Sequence, residues 1–436
     1  MWISNMRREI MYNRQKKMIT DYIKSGEKTK DNLKLGVEIE HFVVYKDNYH
    51  SVSYYGEDGV ESTLKNLLDL GWEGTYQGGY LLGLTKNDLS ITLEPGSQLE
   101  VSIEAKANLV DIERSYLNFL DDLIPVLENK NQRLVALGYH PQTKIDDIKL
   151  LPKKRYDLMF NHFKSRGSHA HNMMKGTGAF QVSIDYLSED DYVKKFRVIN
   201  ALSPVFYGLF ENAYFFEGEP CKIHNLRSFI WSNCDSDRAG NIGYAFEDDY
   251  SYEKYAEYIL ERPPIFTIKR GEIVPTNKKL VKDVLDPEIT ELEELEHLMT
   301  MFFPDARTKR YIEIRIMDAV PYPLNIAAVA LIKGIFYNEN NLNLVFDFVK
   351  DIKYEDIQMI KGEILLNGLN TIIKGKSIID IGKWLIELSK EALGVESIYI
   401  KPLEDMLNEG KNPYLITKEA VEELGISKGL EWATLK

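Results

Sequence analysis

Apolar and polar residues alternate strictly along four stretches of this chain. In L-G-V-E-I-E-H-F-V-V, Leu35 to Val44, the alternation predicts a strand with Glu38 and Glu40 leaving on one face. Phe42 and Val44 continue that same face. In G-A-F-Q-V-S-I-D-Y, Phe180, Val182, Ile184 and Tyr186 share one side and Gln181, Ser183 and Asp185 the other. In K-R-Y-I-E-I-R-I-M-D, Ile312, Ile314 and Ile316 oppose Glu313 and Arg315. In S-I-T-L-E-P-G-S-Q-L-E-V-S, Pro95-Gly96 marks a turn between two arms that carry Glu94 and Glu100.

Helical periodicity takes over elsewhere. It predicts helices over residues 6–24, over 60–71 with Gly71 as terminator, and over 108–130. Residues 141–176 read as a long loop with short helical pieces. Residues 286–300 read as an acidic amphipathic helix, and the chain after Pro323 as almost entirely helical. No repeat, low-complexity tract or Pro/Ser-rich linker divides the sequence. The expectation is therefore a catalytic body over 1–335, with a helical region over 336–436 packed on the same domain.

A half-wet antiparallel sheet would account for any one of these strands. The set is harder to explain that way, because acids are disfavoured in strands and here recur as Glu38, Glu40, Glu94, Glu100 and Glu313. Carboxylates sharing one face repel one another unless cations sit between them. Hard divalent ions with oxygen ligands meet that need, and Mg²⁺ is the usual choice when phosphates complete its octahedron. The acids thus point to a sheet floor that holds Mg²⁺ and a nucleotide.

Composition removes other classes. A formal net charge of -13 over 436 residues argues against a nucleic-acid binder or an anionic-membrane binder. The first residues lack the apolar core of a secretory signal, and no apolar run is long enough to span a bilayer. Cys221 and Cys234 are too few for a disulfide framework and suit a reducing cytoplasm. N-T-I-I-K-G-K-S, residues 370–377, ends like a phosphate loop but has Asn370 in place of the first glycine and lies in a region read as helical. D-S-D-R-A-G, from Asp235, lacks the later ligands of a calcium loop, and His162, His169 and His171 have no accompanying Cys or Glu pattern.

Seven blocks, in order, resemble the plant and proteobacterial type of glutamate–cysteine ligase. They are G-x-E-x-E at Gly36, L-E-P-G-x-Q-x-E-x-S at Leu93, P-K-K-R-Y at Pro152, Q-V-x-x-D at Gln181, E-G-E-P at Glu217, R-S-x-I-W with D-x-D-R-x-G over Arg227 to Gly240, and K-R-Y-x-E-x-R at Lys309. The resemblance implies an α+β fold of the glutamine synthetase kind, a curved antiparallel sheet forming an active-site cleft surrounded by helices. It implies a cytoplasmic ligase that joins glutamate to cysteine with ATP and Mg²⁺ through a γ-glutamyl phosphate, the first step of glutathione biosynthesis.

By the same resemblance, Glu38, Glu40, Glu94, Glu100 and Glu313 hold metal, and Arg315 faces the ATP phosphates. Glu38, Glu313 and Arg315 form the catalytic set. Gln181 borders metal and nucleotide, while Arg155, Arg227 and Trp231 meet glutamate. The partners implied are small molecules alone: glutamate, cysteine or a similar amine, and ATP. The chain departs from the pattern at Gly176, Gly178 and Ala179, and in D-A-V-P-Y-P-L-N after the last block. Two alternatives stay open: a different amine acceptor, and a phosphotransferase on the same fold.

Overall fold

The computed structural model describes the backbone of residues 2–436 and the side chains from Met6 onward. A ten-stranded open sheet is the frame. Its strands are β1 (Leu35–Tyr45), β2 (Glu73–Gln77), β3 (Tyr80–Lys86), β4 (Leu89–Leu93), β5 (Leu99–Lys106), β6 (Gln132–Val135), β7 (Ala179–Ile184), β8 (Ala306–Thr308), β9 (Ile312–Asp318) and β10 (Thr434–Leu435). The main path runs β8-β9-β7-β1-β5-β4-β3-β2, and β6 joins β1 to β10. Neighbours in this sheet pair antiparallel, so the architecture is mixed α+β with helices around a large sheet and no closed barrel.

β1 lies at the centre because it serves two sets of partners. Its first half pairs with β5 on one side and β7 on the other, and its second half, from Phe42, pairs with β6. One face, with Leu35, Val37 and Ile39, is buried in the main core. The helix Leu109–Glu128 presents Leu109, Ile112, Tyr116, Phe119, Leu120, Leu123 and Leu127 to that core, the three-and-four spacing of an amphipathic helix. On the opposite face, Phe42 and Val44 pack with Val135, Leu137, Tyr414 and Leu430 in a second apolar cluster. Glu38 and Glu40 share that face but lie before the cover begins.

The helix Leu324–Phe336 is buried almost all round. It packs against Ile378–Leu393 so closely that a Cβ on Gly334 would lie 2.4 Å from Cβ of Ser389. Three predicted elements change on folding. The acidic helix is Leu292–Thr300, shorter than expected, because the Asp286 amide donates to the Thr290 hydroxyl in a turn that precedes it. The region after Pro323 is not wholly helical, since its last residues add β10 to the sheet. The segment 370–377 forms a small hairpin, Ile372–Ile373 against Lys376–Ser377, turned by Lys374 and Gly375 at positive φ.

Candidate active site

Strand register assembles the acid face. Glu40 lies directly opposite Glu100, and Glu100 opposite Thr92 on β4. Glu38 lies opposite Gln181 on β7, and Ser183, two residues along, lies opposite Glu313 on β9. Glu94 follows β4 directly, where the Pro95-Gly96 turn closes with the Glu94 amide bonded to the Gln98 carbonyl at 2.9 Å. The Gln98 side chain accepts from the Gly96 amide at 2.8 Å and donates to the Thr177 carbonyl at 3.0 Å. The turn passes too close to Lys175 for any Cβ at position 96, which would lie 2.5 Å from its carbonyl oxygen. Residues 93–100 therefore place two acids, one turn and one close backbone approach within eight positions.

Short helices cover this face. Lys154–Phe163 contributes Arg155, Tyr156 and Met159; Ala170–Gly176 contributes Met173 and Met174; Leu226–Ser232 contributes Arg227 and Trp231. Between them and the sheet lies a cavity of about 330 Å³, within the size range of small-molecule sites. Glu38, Glu40, Glu94 and Glu100 line it together with Gln181, Arg315, Arg155, Arg227 and Trp231. Glu313 does not line it. Its carboxylate is 1% exposed and bound by Arg307 at 2.6 and 3.1 Å, Arg315 at 3.1 Å and Lys309 at 3.4 Å.

The electrostatics follow from this division. Burial raises the Glu38 carboxyl above its ordinary range, and the Glu313 charge raises it further. Burial and then Glu94 push Glu40 up to about 8. Burial, with Glu38, Glu94 and Glu40 around it, holds Glu100 well above the ordinary range. Glu313 is the opposite case: burial alone would raise it, yet Arg307, Lys309 and Arg315 hold its carboxyl well below the usual range.

The lining acids are a donor set of hard oxygens short of positive charge, which fits a hard divalent cation. Among the described residues, no three His, Cys, Asp or Glu side chains already surround one point. Glu40 and Glu100, directly opposite across one strand pair, could serve an ion such as Mg²⁺ that takes one or two protein carboxylates and completes its shell with water and phosphate oxygens. The arrangement does not suit a closed protein cage.

The helical wall has the complementary character. The Arg155 Nε, Arg227 Nε and Trp231 Nε1 atoms are buried with no hydrogen-bond partner among the described residues. Each such donor carries a desolvation cost of about 1–3 kcal/mol until something accepts from it. Arg227, 2% exposed, is anchored by its terminal nitrogens to the carbonyls of Ile316 at 3.0 Å and Arg315 at 3.2 Å, and its guanidinium lies 5.9 Å from the Trp231 ring centre. Behind it, burial pushes the Asp318 carboxyl up to about 7 against the opposing charge of Arg227. Arg315 donates to the Gln181 side-chain oxygen, which ties β9 to β7 at the edge of the acid floor.

Sequence reasoning missed several residues of this cavity, including Lys153, Arg307, Thr92, Gln98 and the methionines 159, 173 and 174. Lys153 stands inside P-K-K-R-Y, and Arg307 two positions before K-R-Y-x-E-x-R, so adjacency to the blocks was the available signal. The histidines of the loop do not converge. His162 bonds Asp235, His171 bonds the Phe160 carbonyl, and His169 meets the Phe229 ring edge-on. D-S-D-R-A-G is a turn in which Asp235 binds buried Arg238 at 2.5 Å. Cys221 and Cys234 are free thiols.

Comparison with known proteins identifies the family. The family model "Glutamate-cysteine ligase family 2 (GCS2)" matches residues 34–415. The chloroplastic glutamate–cysteine ligase of Brassica juncea is 30% identical over 380 residues, 85% of this chain and 73% of that one. Chloroplastic glutamate–cysteine ligase B of Oryza sativa subsp. japonica is 29% identical over 404 residues, 90% of this chain and 81% of that one. The crystal structure of glutamate–cysteine ligase from Francisella tularensis in complex with AMP superposes with a TM-score of 0.56 at 12% identity, covering 93% of this chain and 88% of that one, a likeness of fold. With the family model spanning most of its length, the chain belongs to glutamate–cysteine ligase family 2.

Proposed function

We propose that this protein is an ATP- and Mg²⁺-dependent ligase that joins the γ-carboxylate of L-glutamate to the amino group of L-cysteine through a γ-glutamyl phosphate, the first step of glutathione biosynthesis. The observation that carries this reading is a cavity with a carboxylate floor facing three donors that have no partner among the described residues, on Arg155, Arg227 and Trp231. A substrate with a carboxylate at each end fits between them. Its α-carboxylate answers the unpartnered donors, and its γ-carboxylate lies toward the metal-binding floor and Arg315.

A carboxylate resists nucleophilic attack because of its charge. Transfer of the ATP γ-phosphoryl group to the glutamate side chain gives a mixed anhydride with phosphate as leaving group. The acceptor amine then attacks the acyl carbon, the bond to phosphate breaks, and the amine loses a proton. Arg315, steadied by Gln181 and Glu313, neutralises charge on the transferring oxygens. One or two carboxylates at a time from Glu38, Glu40, Glu94 and Glu100 would hold Mg²⁺, which when bound would screen the phosphate charge as a Lewis acid. Glu313 joins those ligands only by giving up contacts to Arg307, Lys309 or Arg315; as it stands it serves the site by aligning them. Beyond Glu38, a second hollow lined by Gly36, Ser102, Ser183 and Tyr311 offers space for the rest of the nucleotide.

A different acceptor is a second reading, favoured by one observation. The wall near the amine's approach carries Met159, Met173 and Met174, which are adaptable and discriminate weakly among small side chains. An acceptor screen at fixed ATP, Mg²⁺ and glutamate, read by mass spectrometry, tests both. The expected outcome is ADP, phosphate and a γ-glutamyl amide, largest with cysteine. ADP without an amide would replace the ligase reading with a phosphotransferase.

A further inference from the structure

Most cations of the cavity are already engaged. Arg307 places four of its five N–H donors on Glu313 and the carbonyls of Thr300 and Phe302. Arg315 is shared between Gln181 and Glu313, and the terminal nitrogens of Arg227 sit on backbone carbonyls. Lys153 and Arg155 differ: among the described residues neither side chain enters a hydrogen bond or ion pair, and with Arg155 assigned above to glutamate, Lys153, half-buried and lining the cavity, is left over. Burial and the like charge of Arg155 lower its pKa, Glu94 and Glu100 oppose them through space without closing on it, and the Tyr156 ring lies 5.0 Å from Nζ.

The backbone under Lys153 is held. Its amide donates to the Leu151 carbonyl at 2.8 Å, and the Leu151 amide donates to the Pro95 carbonyl at 3.0 Å, which ties the residue to the turn that carries Glu94. Tyr156, one turn along, donates from its hydroxyl to the Leu93 carbonyl at 3.0 Å. An ammonium on an anchored elbow, partly withdrawn from water and without a counter-ion in contact, is a ready clamp for one more anion.

Resting on the ligase reading, the carboxylates to be seated can be counted. Glutamate brings two, which are met by Arg155, Arg227 and Trp231 at one end and by the metal floor with Arg315 at the other. An amino-acid acceptor brings a third. We propose that Lys153 binds the carboxylate of the acceptor and so selects α-amino acids over simple amines, while the methionine wall takes a small uncharged side chain. A bare alkylamine would occupy the same space and leave the ammonium unpaired, which is discrimination against the wrong partner as much as attraction to the right one.

The test compares acceptors that differ only in the carboxylate: cysteine with cysteamine, and 2-aminobutyrate with propylamine. Amide formation is measured with the wild type, Lys153→Met and Lys153→Arg at saturating ATP, Mg²⁺ and glutamate. The wild type is expected to prefer the carboxylated member of each pair. Lys153→Met is expected to shrink that preference by about tenfold to a hundredfold, the worth of one charge-assisted hydrogen bond. Lys153→Arg should retain most of it, and the glutamate KM should stay within about twofold in both variants. An equal loss on both members of a pair, or a raised glutamate KM with the preference intact, overturns the assignment. Wild-type amide formation from the simple amines alone overturns it and leaves the ligase reading standing. No amide from any acceptor overturns both.

Discussion

Glu313→Gln isolates charge from shape at the best-connected acid of the site. The substitution keeps the side chain's size and one acceptor oxygen, and it removes the charge shared by Arg307, Arg315 and Lys309. Stripping one partner from a buried ion pair costs about 3–5 kcal/mol. The oxygen that glutamine retains puts this case at the lower end, about 3 kcal/mol. With an unfolding entropy of about 2.1 cal/mol/K per residue, a chain of 436 residues loses about 3 °C in Tm. Calorimetry reads that shift. Turnover should fall much further, by about 10²–10³, because Arg315 loses the contact that aims it and a single aligned donor is worth that much at a reacting centre.

Amide formation and ADP release give the rate, and a Mg²⁺ titration separates the two roles open to Glu313. Acting through Arg315 and Arg307, it should leave apparent Mg²⁺ affinity nearly unchanged while the ATP KM rises. Acting as a ligand, it should weaken Mg²⁺ activation in step with turnover. A folded Glu313→Gln protein with wild-type turnover would refute any catalytic use of the network, and an unchanged Tm would refute its energetic importance.

Arg227→Lys should raise the glutamate KM by about tenfold or more, since lysine has no counterpart of the Nε donor left for the carboxylate while its ammonium keeps the backbone carbonyl contacts only in part; steady-state kinetics at varied glutamate reads it. Glu38, Glu40 and Glu100 have carboxyls raised by folding, so the folded state binds more protons than the unfolded one above the ordinary carboxylate range. Stability of the metal-free protein should therefore fall as pH rises from about 4.5 toward about 8, the value reached by Glu40. Mg²⁺ competes with those protons, so it should raise Tm more at pH 8 than at pH 6, and an equal rise at both would refute metal binding by these acids. Gly96→Ala must push the turn off the Lys175 carbonyl; the expected cost is about 1–3 kcal/mol with weaker Mg²⁺ activation, read by thermal unfolding and titration.

Strand periodicity carried far at this site because β geometry converts spacing into facing. Glu38 and Glu40, two apart, share a face in any strand, so that part needed no tertiary information. The Pro95-Gly96 turn likewise announced that Glu94 and Glu100 would lie on adjoining arms. Helix ends were less legible. Residues 286–291 have the composition of the helix that follows, and only the Asp286–Thr290 turn stops it from starting earlier. The hairpin at 372–377 was hidden because two-residue strands are too short to show a period.

The sequence by itself determined the faces of β1, β7 and β9 and the kinds of charge they carry, because alternation along an extended chain is a local property. It also carried, through its ordered blocks, the family to which the chain belongs. The tertiary structure alone decided that Glu40 meets Glu100 across the sheet, that Glu313 turns to Arg307 and leaves the cavity lining, and that Lys153 stands beside Arg155 without a partner. Those outcomes depend on strand order, register and the helices laid over the acid face. Pairings across the sheet, such as Glu38 with Gln181 and Ser183 with Glu313, are set by packing, which no local pattern encodes.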